Sequence, residues 1–152
     1  MKMSEWKKME RKILSKRAKK GMRKRAKMLK WGNPTPPLGY SLSKAGWLII
    51  NAEEAEVVRE VFDNYLYFKS MSKTAQALNL MGFKTKYSGK WSAGAVRDTI
   101  MNKIYIGQFR YAGVSKHLEA LRIVSDETFK RANEIRQDNY RKMGWRFQSR
   151  KK

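Results

Sequence analysis

Between Met71 and Gly107 apolar residues recur at helical spacing in two short runs, and the polar stretch separating them is basic. Ala75, Leu78 and Met81 fall three apart, with Ser72 as the expected N-cap and Gly82 as the stop. Val96 and Ile100 lie four apart on one face of a second helix, capped by Ser92 and anchored by Trp91. Lys84, Lys86, Gly89 and Lys90 fill the connection. Two short helices joined by a basic excursion predict a helix-turn-helix-like unit whose second helix fits a DNA groove.

The same patterning predicts the rest of the chain. Met3, Trp6, Met9 and Ile13 form one apolar series, and Leu14, Ala18, Met22, Ala26 and Leu29 form another, both consistent with a first helix over 1–31 that Gly21 interrupts weakly. Gly32-Asn33-Pro34-Thr35-Pro36-Pro37 ends it and predicts a stiffened, extended linker over 32–37. Leu38 to Leu42 and Trp47 to Ile50 read as a hairpin around Ser43–Gly46. Asn51, with Glu54 three residues on, resembles a capping box and opens a helix to about Phe68 that buries Ala55, Val58, Phe62, Tyr65 and Leu66. Tyr105 to Tyr111 and His117 to Ile123 form a second strand pair turning near Gly113. Ser125 caps a last helix to about Lys142 with Phe129, Ala132 and Ile135 inward, and 143–152 is a basic tail carrying Trp145 and Phe147, either a frayed end or a second phosphate-contacting arm. The expected class is α+β: a basic N-terminal helix and Pro-rich linker leading into a mainly helical domain over 38–142 with short β-hairpins.

Charge sharpens this outline. The 152 residues carry 35 basic and 13 acidic side chains, a net +22, with a pI near 10.4. Residues 1–31 hold 14 lysines and arginines against Glu5 and Glu10, a net +12. Such an imbalance repels itself, and a polyanion is the usual compensation. Lys16, Arg17, Lys20, Arg23, Lys24, Lys27 and Lys30 are the expected phosphate contacts, supplying affinity and salt dependence without sequence readout. A second reading lays the helix's apolar stripe against another chain, and the two are compatible. No apolar run approaches the roughly 20 residues of a spanning helix, so no membrane partner is expected. Zero cysteines, with no secretory-type apolar stretch after the basic start, suit a cytoplasmic, DNA-associated protein.

Enzymatic chemistry has little to work with. His117 is the single histidine, which excludes paired-histidine nuclease sites; with no cysteine, zinc deaminase chemistry is excluded too. There is no GxxxxGK or GxGxxG loop. Ser72, Ser92 and Ser125 fall at helix starts, where capping explains them. Glu56, Glu60 and Asp63 share helical spacing on an acidic face with Glu53, but no histidine or further carboxylate lies near, so neither metal nor cofactor is expected. That face is expected to turn away from DNA.

An ordered set of these residues resembles the recombinase domain of large serine recombinases, the phage integrases and transposon recombinases. Leu38-Gly39-Tyr40 after prolines resembles its P-x-GY opening. Ile50-Asn51-Ala52-Glu53-Glu54-Ala55 leads into Val58 and Phe62. Ser72, Leu78-Asn79, Gly82, Gly89-Lys90-Trp91-Ser92, Val96, Ile100, Asn102, Tyr105-Ile106-Gly107, His117, Ile123-Val124-Ser125, Glu127 and Phe129 follow in order. Upstream, Ser15, Arg17 and Gly21 resemble the end of the long helix that joins the catalytic domain in those proteins. The resemblance spans roughly 13–137 and implies binding to attachment-site DNA, with a helix in the major groove and the linker tracking the minor groove. The resolvase-like catalytic domain, the zinc-ribbon cysteines and the coiled-coil insertion of the family are not found in this sequence, nor is a glycine near Leu29. Family strand-exchange activity is therefore not expected of this polypeptide alone, which reads as a fragment, a split-gene product or a stand-alone DNA-binding derivative. The expected partners besides duplex DNA are a separate serine-recombinase catalytic domain or another copy of itself, and no catalytic residue is assigned here.

With Val96 and Ile100 inward, Ser92, Gly94, Ala95, Arg97, Asp98 and Met101 lie on or beside the exposed face of the second helix. Arg97 is the expected guanine reader, worth ~1–3 kcal/mol of discrimination, and Asp98 either holds Arg97 or accepts from a cytosine amine. Lys84, Lys86, Tyr87, Ser88 and Lys90 form a wing-like backbone contact. Asn33 and Pro34–Pro37 either follow a minor groove or act as a spacer. The competing class is a basic RNA- or ribosome-binding module, which charge alone allows but which usually presents a stacking platform or GXXG clamp, neither evident here. A structural adaptor using the first helix is a third reading, and it leaves +22 unexplained.

Overall fold

The computed structural model describes residues 3–149, with side chains placed as far as 144. Trp145 and Phe147, and with them most of the expected basic tail, lie outside the described side chains. The fold is α+β: α1 (Met3–Lys27), a hairpin of β1 (Tyr40–Leu42) and β2 (Leu48–Ile50), α2 (Ala52–Phe68), α3 (Met71–Leu80), α4 (Ala93–Met101), a 3-10 turn (Lys103–Tyr105), a hairpin of β3 (Ile106–Tyr111) and β4 (Val114–Arg122), and α5 (Asp126–Ser149). Both hairpins are antiparallel; Tyr40 pairs with Ile50 in the first and Tyr111 with Val114 in the second. The last helix continues past the expected end at Lys142.

One core joins all elements except most of α1. Ala55, Val58, Val61, Phe62 and Tyr65 of α2 pack with Leu78 of α3, Val96 and Ile100 of α4, and Phe109 of β3. Val61 belongs to this buried face, whereas Leu66 is only partly buried. Tyr40 stacks on Tyr105 with ring centroids 6.0 Å apart, and its hydroxyl sits between the carbonyls of Leu121 (2.6 Å) and Ile104 (3.0 Å). Burial pushes both phenols well above their ordinary pKa, so they remain neutral donors.

Local chemistry moves one expected helix start and alters the capping of another. Ser70, not Ser72, caps α3: it is extended, and its Oγ accepts from Lys73 N–H. Lys69 takes a left-handed turn (φ 53°) at the end of α2, so the chain reverses and the new helix begins at Met71. At α2, Asn51 Oδ1 accepts from Glu54 N–H at 3.2 Å, but Glu54 does not reach back to Asn51. Its carboxylate instead accepts from Gly39 N–H (3.0 Å) and from Lys86. Half of the capping box is therefore exchanged for a tie between α2, the first hairpin and the 81–92 connection.

The end of α1 is keyed to the domain. Leu29 is left-handed (φ 57°), Leu29 N–H donates to Ala26 O (2.9 Å) and Lys30 N–H to Arg25 O (3.0 Å), a Schellman closure with leucine where glycine is most at ease. This is the position near which the family resemblance expects glycine. Trp31 N–H then donates to Gly46 O (2.8 Å), Trp47 Nε1 to Met28 O (3.2 Å), and the Trp31 ring packs against Phe109 and Tyr111. Gly32 lies directly on Tyr111; a Cβ there would fall 1.8 Å from its hydroxyl oxygen. The linker thus starts docked on both hairpins. From Met3 to Arg25, by contrast, every α1 side chain is exposed.

Candidate nucleic-acid interface

α4 is held at both ends by side chains that pair with backbone. The Asn79 amide accepts from Trp91 N–H (2.7 Å) and donates to Trp91 O (2.9 Å), so the end of α3 grips the residue that precedes the α4 cap. Ser92 Oγ accepts from Ala95 N–H at 3.2 Å. At the other end, Asn133 of α5 donates to Ile100 O (2.8 Å), and Asn102 Oδ1 accepts from Ile104 N–H. Trp91 and Tyr105 are buried, 5% and 2% exposed, which removes them as base-stacking groups.

The outward ridge of α4 carries Arg97, Asp98 and Met101, all exposed. Arg97 donates from Nε and Nη2 to Asp98 Oδ1, each at 3.1 Å, so the carboxylate holds the guanidinium at the surface. Ser92 is exposed; Gly94 and Ala95 are half-buried. Ala95 faces sideways into a cleft of about 380 Å³ whose other walls are the linker (Trp31, Thr35–Leu38) and the turn at Thr85–Tyr87. On the far side of the ridge the surface forms a shallow, largely open recess bordered by Arg97, Asp98, Met101, Asn102, Arg136 and Tyr140. The readout candidates therefore sit on a rib between two depressions. The second wall, from α5, has no signature in the local sequence.

The excursion is a tight turn rather than a strand-built wing. Ser88 N–H donates to Thr85 O (2.9 Å), Gly89 N–H to Thr85 Oγ1 (3.1 Å), and Ser88 is left-handed. Tyr87 stands at its tip, 80% exposed, and Lys84 and Lys90 are exposed beside it. Lys86 departs from expectation. Its ammonium bonds Glu54 Oε1 (2.8 Å), Glu54 Oε2 (2.7 Å) and Tyr40 O (2.9 Å), with the side chain 18% exposed. A lysine so engaged has no proton left for a phosphate, and its role is to fasten the turn to the hairpin and α2.

Lys16, Arg17, Lys20, Arg23, Lys24 and Lys27 are exposed along α1, and Asn33 is exposed in the linker. Lys30 is half-buried, with Nζ 6.0 Å from the Trp47 ring centroid. On the acidic face of α2, Glu56 pairs with Arg59 and Glu60 accepts from Asn64, and among the described residues no group of three or more His, Cys, Asp or Glu is arranged to hold a metal. His117 lies exposed on β4 beside Glu119 (2.8 Å). Hydrogen bonds from Arg122 first, then His117, hold the Glu119 carboxyl down at about 2. No helix among the described residues is long and apolar enough to cross a membrane.

Comparison with known proteins fits this architecture. No curated protein sequence matches the chain. Among the solved structures that resemble it are two, each with TM-score 0.64, 25% identity and 80% of this chain covered. One is a crystal structure of an LSR–DNA complex, where LSR denotes a large serine recombinase; the other comes from work on the sequence requirements of the Listeria innocua prophage attP site. The chain spans 39% and 51% of the lengths of those two chains. The family described as Recombinase matches residues 52–139, from the start of α2 into α5 and more than half of the sequence. The chain belongs to the recombinase family, as the recombinase domain of large serine recombinases.

Proposed function

We propose that this chain binds double-stranded DNA sequence-specifically, recognising an attachment site for a serine recombination system. The observation that carries the reading is the α4 rib: an arginine oriented by its neighbouring carboxylate, on a helix held at both ends, with a depression on either side. A helix seated in a major groove needs room on both flanks for the two sugar–phosphate walls, and it reads bases from its outward ridge. Arg97 is the base reader, with Asp98 positioning it; Ser92, Gly94 and Ala95 bring the start of the helix close to the groove. Lys84, Tyr87, Ser88 and Lys90, Asn33 of the linker and the lysines and arginines of α1 contact the backbone. Strand cleavage and exchange belong to a serine-recombinase catalytic domain, on the same or another polypeptide. The similarity of the fold to an LSR–DNA complex supports the same partner class.

Selection from a randomised duplex pool tests this. The protein is expected to enrich one sequence family, and Arg97→Ala to relax the preference at one position, by about 1–3 kcal/mol of discrimination. Equal affinity at physiological salt for the enriched duplex, a random duplex and a structured RNA would favour the RNA-module reading instead.

A further inference from the structure

The recess on the α5 side of the rib joins two elements that lie far apart in the sequence. We infer that Arg136 and Tyr140 of α5 form a second backbone clamp that grips the DNA strand on the opposite side of the α4 groove from the 84–90 turn. The inference rests on α4 being the major-groove reader.

A duplex presents two phosphate walls to a helix in its major groove. One is met by the turn and linker, which line the cleft beside Ala95 and Asp98. The other must pass over the opposite flank of Arg97 and Met101, and the structure puts α5 there. Arg136 and Tyr140 are one helical turn apart and line the same recess as Arg97. Tyr140 is 77% exposed although no aromatic contact or hydrogen bond holds it among the described residues. Arg136 is half-buried, donates from Nε to Asn133 Oδ1 (3.3 Å), and pairs with no carboxylate among the described residues. An arginine braced at Nε still has its terminal nitrogens for a phosphate, and a tyrosine hydroxyl is a neutral phosphate donor.

The wall is also rigidly set. Asn133, three residues before Arg136, donates to Ile100 O of α4, and Asn139, three residues after it, donates to Lys69 O (2.8 Å) at the end of α2. These two amides bracket Arg136 and lock its height relative to the rib. The occupant is an anionic strand rather than an apolar segment, because the recess contains two guanidinium groups against the single carboxylate of Asp98, which is already paired with Arg97.

The test uses the full chain, a randomised duplex pool and the duplex it enriches. Arg136→Ala is expected to weaken binding to the enriched and random duplexes alike, by about tenfold, and to lower the slope of log K against log salt by about 1. Tyr140→Phe should weaken both a few-fold with the slope unchanged. Arg136→Lys should restore the slope. Lys130→Ala removes the same charge from α5 at a position paired with Glu134 and outside the recess. It should leave affinity within about twofold and the slope intact. Thermal melting of each variant separates lost contact from lost fold. If Arg136→Ala matches Lys130→Ala, or if it alters sequence preference rather than overall affinity, the clamp is overturned while groove reading by α4 stands. If the unmodified chain enriches no sequence, the α4 reading fails first.

Discussion

Lys86 carries three ammonium protons, and Tyr40 O with the two oxygens of Glu54 accounts for all of them. A lysine inside a basic loop looks like a phosphate contact when read along the chain, because its partners lie 32 and 46 residues away and leave no local trace. The two readings separate in solution. Lys86→Met should cost about 1–3 kcal/mol of folding stability, since it leaves a half-buried carboxylate short of a partner. It should leave the salt slope of DNA binding unchanged, whereas Lys84→Ala should lower that slope with little effect on melting. Arg97 makes the complementary case. Asp98 carries a charge that duplex DNA repels, yet it holds the guanidinium proposed to read. Asp98→Ala is expected to raise affinity for random duplexes and reduce the preference for the enriched one, measured by competition between the two.

At the scale of elements, most of the fold was legible because helix faces, caps and turn residues are local. Ala55, Val58, Phe62, Leu78, Val96 and Ile100 are all core residues, and Ser92 and Ser125 both cap as expected. The α3 start slipped by two residues because Ser70 and Ser72 are equivalent caps in sequence, and only the left-handed Lys69 decides between them. What could not be read is pairing across distance: Asn79 with Trp91, Glu54 with Lys86, and the approach of α5 to the α4 rib. The β3–β4 turn offers an element-level test. Ala112 (φ 46°) and Gly113 (φ 79°) are both left-handed, the geometry of a type I′ hairpin turn, which favours Asn-Gly over Ala-Gly. Ala112→Asn should therefore stabilise the domain by up to about 1 kcal/mol, seen as a higher urea midpoint at constant m.

Across the whole molecule, the densest run of positive charge and the α4 rib lie on different elements. Helix α1 carries 12 lysines and arginines against Glu5 and Glu10, a net +10, and its side chains from Met3 to Arg25 stay in solvent, while Arg97 sits on the compact domain. In the proposed reading, α1 adds electrostatic hold remote from the discriminating arginine, beside the backbone contacts that the domain itself supplies. Replacing both Lys20 and Arg23 by alanine should weaken every duplex alike and flatten the salt slope by roughly 2, leaving the enriched sequence unchanged. Their joining point is Leu29. A helix of 25 residues is about 37 Å long, so a 10° swing at its base displaces the far end by about 6 Å, more than the rise of a base pair. The swing would break the Lys30–Arg25 and Trp31–Gly46 hydrogen bonds and unseat the partly buried Leu29, which makes it costly even though the left-handed leucine is itself strained. The angle at which the helix leaves the domain thereby acts as a ruler. With α4 in a major groove, as proposed, that angle would set how many base pairs separate whatever the distal end of α1 engages from the bases beneath α4.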